Sequence, residues 1–167
     1  MSDTRIDGAG VVSIRAVTDD HPRPRSDSAW DDWGEMDPAA KDMEIQRWII
    51  EVTDDEGHRV PVGDLSAHAV WYGPTPGSRA LNIGISLLEE HRGKGIGGVA
   101  QRLLAEELHA GGIVRVEAST DVENFAEQRA LAKAGYQLEG TLRLAQARRD
   151  GLHDLQVWAH VQAPVSP

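Results

Sequence analysis

Arg92-Gly93-Lys94-Gly95-Ile96-Gly97-Gly98 is the stretch that decides how this 167-residue chain is read. Four of these seven residues are glycine, so backbone can approach a ligand closely and several N–H groups can point the same way. A strand-like run, Ala80 to Leu88 (ALNIGISLL), precedes the cluster. In Gly95 to His109, which follows it, Ile96, Val99, Ala100, Leu103, Leu104 and Leu108 recur at helical spacing, and Gly111-Gly112 stops the helix. The loop therefore feeds a helix N-terminus, whose free amide donors and positive dipole end favour an anion. A pyrophosphate is the expected guest, with Arg92 and Lys94 as charge partners.

Other readings of the cluster are a plain tight turn and a dinucleotide fingerprint. One or two glycines suffice for a turn. Gly93-x-Gly95-x-x-Gly98 matches the fingerprint literally, with Glu117 about 20 residues on, where a ribose-binding acid would stand. Against it, Leu88-Glu89-Glu90-His91-Arg92 separates the strand core from the first glycine, and the further βαβ units of such a sheet are missing. A Walker loop is excluded, because no Gly-Lys-Ser/Thr occurs.

Working outward, Val11 to Thr18 alternates as a first strand, and Asp19 to Arg25 is a loop with two prolines. Ser26 to Asp42, interrupted by Gly34 and Pro38, predicts two short helices. Arg47 to Thr53 and Val60 to Tyr72 read as a hairpin across Asp54 to Gly57, and Gly73 to Ser78 as a loop. Ile113 to Ala118 is a short buried strand, and Asn124 to Ala134 a helix closed by Gly135. Tyr136 to Leu144 and Leu152 to Val161 are strands joined through the turn at Asp150-Gly151. The order is a mixed α/β single domain over residues 11–163, with a flexible N-terminal tail (1–10) and a C-terminal tail (164–167).

Composition narrows the function. Seventeen Lys+Arg against 27 Asp+Glu leave a net charge of −10, which argues against a nucleic-acid partner. The acids concentrate between Asp19 and Glu56, either as a solvated face or as a surface that draws in a cation. No apolar run is long enough to span a bilayer and the start lacks a signal-peptide core, so a cytoplasmic protein without membrane attachment is expected. Without cysteine there is no disulfide framework, thiolate metal site or cysteine nucleophile. The histidines show no metal-ligand pairing, so no metal is expected.

Arg92-x-x-Gly95-x-Gly97 between a strand and a helix resembles the acyl-CoA pyrophosphate loop of the GNAT superfamily of N-acetyltransferases. Downstream, Asn124-Phe-Ala-Glu-Gln-Arg129-Ala-Leu-Ala-Lys133-Ala-Gly135-Tyr136-Gln-Leu-Glu139-Gly140-Thr-Leu-Arg143 resembles the second block of its RimJ/RimL-type branch. Asp150-Gly151 and Asp154 fall where that branch has its last hairpin. The resemblance spans roughly Val11 to Val161.

It implies a central twisted, mostly antiparallel sheet with one splayed parallel strand pair and helices on both faces. It also implies acetyl-CoA as co-substrate, a peptide N-terminus or small-molecule amine as acceptor, and no metal; homodimers are common among such proteins. The splayed pair would be Ala80 to Leu88 and Ile113 to Ala118, with the pantetheine arm between them. Backbone at Leu87 and Leu88 would donate to the thioester carbonyl. The amides of Gly93, Lys94, Gly95, Ile96, Gly97 and Gly98, with Arg92 and Arg129, would hold the cofactor. Asn124 would contact the pantetheine arm, or alternatively cap its helix with Glu127 as capping-box partner. The branch commonly has Ser where Glu127 stands, and other branches a Tyr where Leu131 stands, so the usual general acid is missing. Glu127 would serve only if burial raised its pKa. Glu117, near a strand end beside the acyl arm, is the first expectation for general base. Asp64 and His68 share a strand face and are weaker bases, while Trp30 and Trp33 could wall the acceptor site. An idle acyl-CoA-binding module is the alternative to an enzyme. With no cysteine available for an acyl-enzyme, direct attack in a ternary complex is favoured.

Overall fold

A computed structural model describes residues 4–6, 9–18, 20–24, 28–35, 37 and 44–163 of the chain. Its frame is one eight-stranded sheet, in chain order β1 Thr4–Ile6, β2 Gly10–Val17, β3 Ile45–Thr53, β4 Arg59–Trp71, β5 Arg79–Leu87, β6 Arg115–Asp121, β7 Gln137–Arg148 and β8 Gly151–Val161. Two α-helices, α1 Ile96–Ala110 and α2 Phe125–Lys133, fill the β5–β6 and β6–β7 connections. The spatial order is β1-β2-β3-β4-β5-β6-β8-β7, antiparallel throughout except for β5 and β6.

The two-residue side-chain period sorts the sheet into faces. Val12, Ile14, Trp48, Ile50, Leu65, Ala67, Leu81, Ile83, Val116 and Ala118 form one buried cluster with Ile96, Ala100, Leu103 and Leu104 of α1 and Leu131 of α2. Both helices therefore press on the same face. The opposite face carries Arg47, Asp64, Ser66, His68, Asn82 and Gly84. Against it lie His21, Arg23 and Pro24 and a short 3-10 turn, Ala29–Asp31, capped by the Ser28 hydroxyl accepting from Trp30 N–H. Much of the predicted helical stretch Ser26 to Asp42 falls outside the described residues, as does the tail 164–167.

Other departures have local causes. Thr4–Ile6, expected within a tail, pairs with β2 from Thr4 opposite Val12 to Ile6 opposite Gly10. The strand predicted to end at Leu144 continues to Arg148 through an irregularity between Leu142 and Gln146. There Leu144 takes φ +51° and its amide donates to the Asp154 carboxylate at 2.7 Å. A side chain thus replaces the lost ladder bond. No helix among the described residues is long and apolar enough to cross a membrane.

Two glycines set the approach of elements to the cleft described below. A Cβ on Gly63 would lie 2.2 Å from Ser86 O, so only glycine lets β4 hold the end of β5. A Cβ on Gly98 would lie 3.2 Å from Ala130 O, which makes Gly98 the crossing point of α1 and α2. Gly63→Ala should cost about 2–3 kcal/mol by overpacking against backbone. Thermal unfolding would read this as a midpoint lowered by roughly 5–10 °C.

Candidate active site

β5 and β6 pair only at Leu81–Val116, Asn82–Glu117 and Ile83–Ala118. Beyond that point β5 stays on β4, from Gly84 opposite Ser66 to Leu87 opposite Gly63, while β6 stays on β8, from Ser119 opposite Val157 to Asp121 opposite Leu155. The two strands part, and the alternate N–H and C=O groups of 84–87 that would have continued the ladder face a gap. Asn82 Nδ2 donates to Ser119 Oγ at 3.2 Å across the closed end of that gap.

An open cleft of about 1530 Å³ runs through the split. On the helix side it is bounded by Ile85 and Leu87, by Arg92, Gly93, Gly95, Gly97 and Gly98, and by Asn124, Glu127, Arg129 and Lys133 of the α2 region. On the other side it is bounded by Trp30, Trp33, Arg47, Asp64, Ser66, His68 and Arg148. One opening thus faces a glycine loop and two helix starts, and the other faces aromatic and charged side chains.

The loop has the geometry its glycines suggested. Gly93 and Gly95 have φ of +74° and +81°, where a Cβ is disfavoured, and Gly95 caps α1. The first intrahelical bond runs from Val99 N–H to Gly95 O at 3.3 Å, which leaves earlier amides of the turn without helical acceptors. Gly97 abuts Leu87 and Ile85, its hypothetical Cβ 3.5 and 3.7 Å from their Cδ1 atoms.

Other expected cofactor residues fall differently. Arg92 Nε donates to Leu87 O at 2.9 Å, fastening the loop to the strand end. Ile96 is core, and neither its side chain nor Lys94 lines the cleft. The Leu88 amide is committed to Val62 O at 3.0 Å, so of the two strand-end positions only Leu87 borders the split. Gly98 serves helix packing first. Arg129 lines the wall, and Lys133, four residues on along α2, lines it too, an i,i+4 spacing legible in the sequence.

Asn124 caps its helix and stands at the cleft. Its Oδ1 accepts from Glu127 N–H at 3.2 Å as helix cap, and it borders the cleft. Glu127, one turn into α2, has its carboxyl pushed up to about 7 by burial, against the lowering effect of a hydrogen bond from Gln101. Leu131, at the other expected acid position, is fully buried core.

Glu117 is placed elsewhere. It is 3% exposed, accepts from Tyr72 Oη at 2.6 Å and from Arg115 Nε, and does not border the cleft. Arg115 also grips Glu139, so Glu117 is a member of a structural cluster at the far end of β6. Even-numbered neighbours of β6 point to the core, and β6 reaches the cleft only from Ala118 onward. Asp64 and His68 do line it. Burial raises the Asp64 carboxyl, opposed by Arg23 and Arg47, and burial lowers the His68 imidazole.

The wall opposite the helices contains a cluster absent from the sequence reading. Asp121, 2% exposed at the end of β6, pairs with Arg148 Nη1 at 2.8 Å and lies 2.8 Å from His153 Nδ1. The Arg148 guanidinium stands 5.3 Å from the Trp30 ring centre and 5.9 Å from that of Trp33. Arg149 adds a bidentate contact to Asp32. The last hairpin thereby holds the 28–33 segment in place. An Asp-Gly turn announced the hairpin, but nothing in the sequence revealed that its arginines reach back more than a hundred residues. Outside the cleft, Asp54, Glu56 and His58 approach one another at the exposed β3–β4 turn. Asp54 there accepts from the amides of the other two as a turn-former.

Residues 9–137 match the Acetyltransferase (GNAT) domain family. The chain belongs to that family. No curated protein sequence matches it significantly. Among solved structures, Mycobacterium smegmatis RimJ in complex with CoA-disulfide is 21% identical over 96% of this chain and 86% of its own, with a TM-score of 0.71. RimL, the ribosomal L7/L12 α-N-protein acetyltransferase, in complex with coenzyme A is 24% identical over 70% and 62%, TM-score 0.58. MccE, a microcin C7 self-immunity acetyltransferase in complex with acetyl-CoA and AMP, is 22% identical over 71% and 62%, TM-score 0.59. The chain thus spans about three fifths of the length of the latter two. They share its fold: a mostly antiparallel sheet with one parallel pair.

Arg148→Met would remove the permanent cation from the buried Asp121 carboxylate, leaving it His153 and the Glu123 amide. It should cost about 3 kcal/mol, and Asp121→Asn in the same chain should recover part of the loss. Denaturant titration of the single and double variants measures both; equal, additive losses would show the pair is uncoupled.

Proposed function

We propose that this protein transfers an acetyl group from acetyl-CoA to a primary amine, by direct attack within a ternary complex. The observation that carries the reading is the parting of β5 and β6 after Ile83 and Ala118, next to a loop of bare amides. The gap offers strand-edge hydrogen bonds to an extended amide-bearing arm. The loop, the α1 N-terminus and Arg129 and Lys133 offer donors and charge to a diphosphate. A cofactor entering from the helix side presents its thioester within the split, and an amine enters from the opposite face.

The roles divide accordingly. Strand-edge amide at 84–87 polarises the thioester carbonyl and stabilises the tetrahedral oxyanion. His68, level with Asn82 at the closed end of the split, takes the proton from the attacking nitrogen. Asp64, Trp30 and Trp33 receive the rest of the acceptor, with an acidic surface concentrating cationic amines. Glu127 gives a proton to the departing CoA thiolate. Peptide N-termini and small amines both suit an opening of this size. Family membership and the Glu127 carboxyl, which holds a proton near neutrality, favour a working enzyme over an idle binding module.

Incubation with acetyl-CoA and a panel of amines and peptides should release free thiol with at least one acceptor. Tight cofactor binding with no thiol released from any acceptor or water would refute the transferase reading. Gly97→Val should weaken acetyl-CoA binding at least tenfold, about 1.4 kcal/mol, because the new side chain meets Leu87 and the cofactor path together. Calorimetry checks this; unchanged affinity would sink the loop assignment.

The sign of the pH dependence follows from the groups. An acid acting protonated with a pKa of about 7 loses activity as pH rises through that value. Turnover should therefore fall on the basic side near pH 7, and Glu127→Gln should abolish that limb and lower kcat roughly 100-fold. A limb that survives in the variant would assign it to another group.

A further inference from the structure

Gly84 is an exposed glycine in the interior of β5, a central strand of the sheet. Glycine weakens a strand, and in such a place it marks a bulge, a bend or a close approach by another backbone or a ligand. The β4–β5 ladder runs through Gly84 without a register shift, from Gly63 opposite Leu87 to Trp71 opposite Arg79. Gly93 and Gly95 have positive φ, and Gly63 and Gly98 meet backbone carbonyls; Gly84 does neither. Among the described residues, a Cβ built on it would meet within 4 Å only the Ser66 hydroxyl, at 3.0 Å. That hydroxyl is the movable end of a small side chain. Backbone conformation and packing therefore leave the choice of glycine unexplained, and a ligand remains.

The open space around position 84 is the cleft. Ile83 and Ile85 pack on the helix side, so strand alternation turns position 84 to the opposite face, with Asn82 and Ser86. Register places it at the centre of a small grid, in which His68, Ser66 and Asp64 of β4 stand opposite Asn82, Gly84 and Ser86 of β5. On its other side β6 has just left, since the last shared pair is Ile83–Ala118. The hydrogen bond from Asn82 to Ser119 closes the gap one side-chain step behind. All of these polar positions border the cleft. Bare main chain between His68 and Asp64, at the first parted residue, is where a nucleophile from this face passes to reach the split.

We propose that Gly84 is a specificity-determining residue for the acceptor: its missing side chain is the clearance occupied by the carbon that bears the attacking nitrogen. The inference rests on the acetyl-transfer reading of the split and adds to it the position that limits the bulk of the amine. In the step concerned the nitrogen lone pair forms a C–N bond to the thioester carbon, and the carbonyl π pair moves to oxygen. The nitrogen gives its proton to a base on this face. The oxyanion then re-forms the carbonyl, the C–S bond breaks with its electron pair going to sulfur, and sulfur takes a proton from the acid proposed above. Attack on a trigonal carbon comes from one side of its plane, so the nitrogen and its substituents need room there. A methyl at position 84 holds a substituted nitrogen back, and a displacement of about 1 Å costs roughly 100-fold in rate.

The test is Gly84→Ala, assayed with acetyl-CoA and two acceptors: methylamine, whose nitrogen carries only a methyl group, and the best larger amine or peptide of the panel. The main-chain amide stays in place, and the thermal midpoint should be unchanged or a few degrees higher, because alanine restricts the unfolded chain. For the larger acceptor kcat/KM should fall about tenfold or more, and for methylamine by no more than about threefold. Acetyl-CoA affinity, read by calorimetry, should stay within about twofold of the parent. The double variant Ser66→Ala/Gly84→Ala removes the one atom the new methyl meets and keeps the methyl in the opening. Measured against Ser66→Ala alone, the loss on the larger acceptor should persist. Recovery in the double variant would trace the loss to strain at Ser66 and overturn the proposal. Unchanged kcat/KM, or an equal loss on both acceptors, would overturn it too while leaving the transferase reading intact. A parent protein that releases no thiol with any acceptor would overturn that reading itself.

Discussion

Everything at the site depends on the failure of β5 and β6 to stay together. Each strand is satisfied on its outer side, β5 by β4 and β6 by β8, and each ends its shared ladder at Ile83 and Ala118. A sheet that parts internally leaves strand-edge amides inside a protein, and such groups demand partners. Water fills that need in an empty cleft; an extended ligand with its own amides fills it with direct bonds. The rest of the architecture keeps the split from closing. Gly63 lets β4 draw the end of β5 to itself, and Arg92 bonds the last carbonyl of β5 from the loop. At the end of β6, Arg148 and His153 hold Asp121 away from β5.

The split also opens one point of the sheet to ligands from both of its faces. Because the gap passes through the sheet, the glycine loop can serve a diphosphate on the helix side while an acceptor approaches from the side of Trp30, Asp64 and His68. The two sides differ in charge logic. The cofactor side relies on backbone donors with a few cations, which a net charge of −10 does not defeat because amides act at contact distance. The opposite side sets Asp31, Asp64 and Asp121 among Arg23, Arg47 and Arg148, so charges of both signs meet a ligand there at contact.

How much of this was legible in the sequence divides along range. Period and punctuation located β2 to β6, β8 and both helices within a few residues, because a two-residue or 3.6-residue repeat is a local signal. The glycine loop was legible for the same reason. What failed was long-range. Glu117 looked like a base because it ends the expected strand, but strand alternation turns it into a cluster with Tyr72 and Arg115. The strand itself continues to Asp121, and the cleft begins only where β5 leaves it. Asp121 with Arg148, and Arg148 with Trp30 and Trp33, join residues 27 and more than 100 positions apart, which no periodicity can announce. Thr4–Ile6 carries too few residues to show a period at all.

Replacement of a hydroxyl acid by a carboxyl one changes what the scaffold must supply. Serine or tyrosine carries its proton at neutral pH without assistance, whereas a glutamate in water has lost its own. On the proposed reading of Glu127 as the acid, the chain needs a setting that returns the proton and holds the group in place. Burial between α1 and α2 does the first and raises the carboxyl to about 7. On α1 the buried Gln101 amide donates to Gly97 O, which ties the helix to the turn behind the glycine loop. Gly98 completes the arrangement by letting α1 and α2 cross closely at Ala130, one turn beyond Glu127. On this view the helix crossing, the loop and the acid form one mechanical unit. A substitution at Gly98 would then disturb proton delivery as well as stability, even though its hypothetical side chain points at Ala130 rather than at any reacting atom.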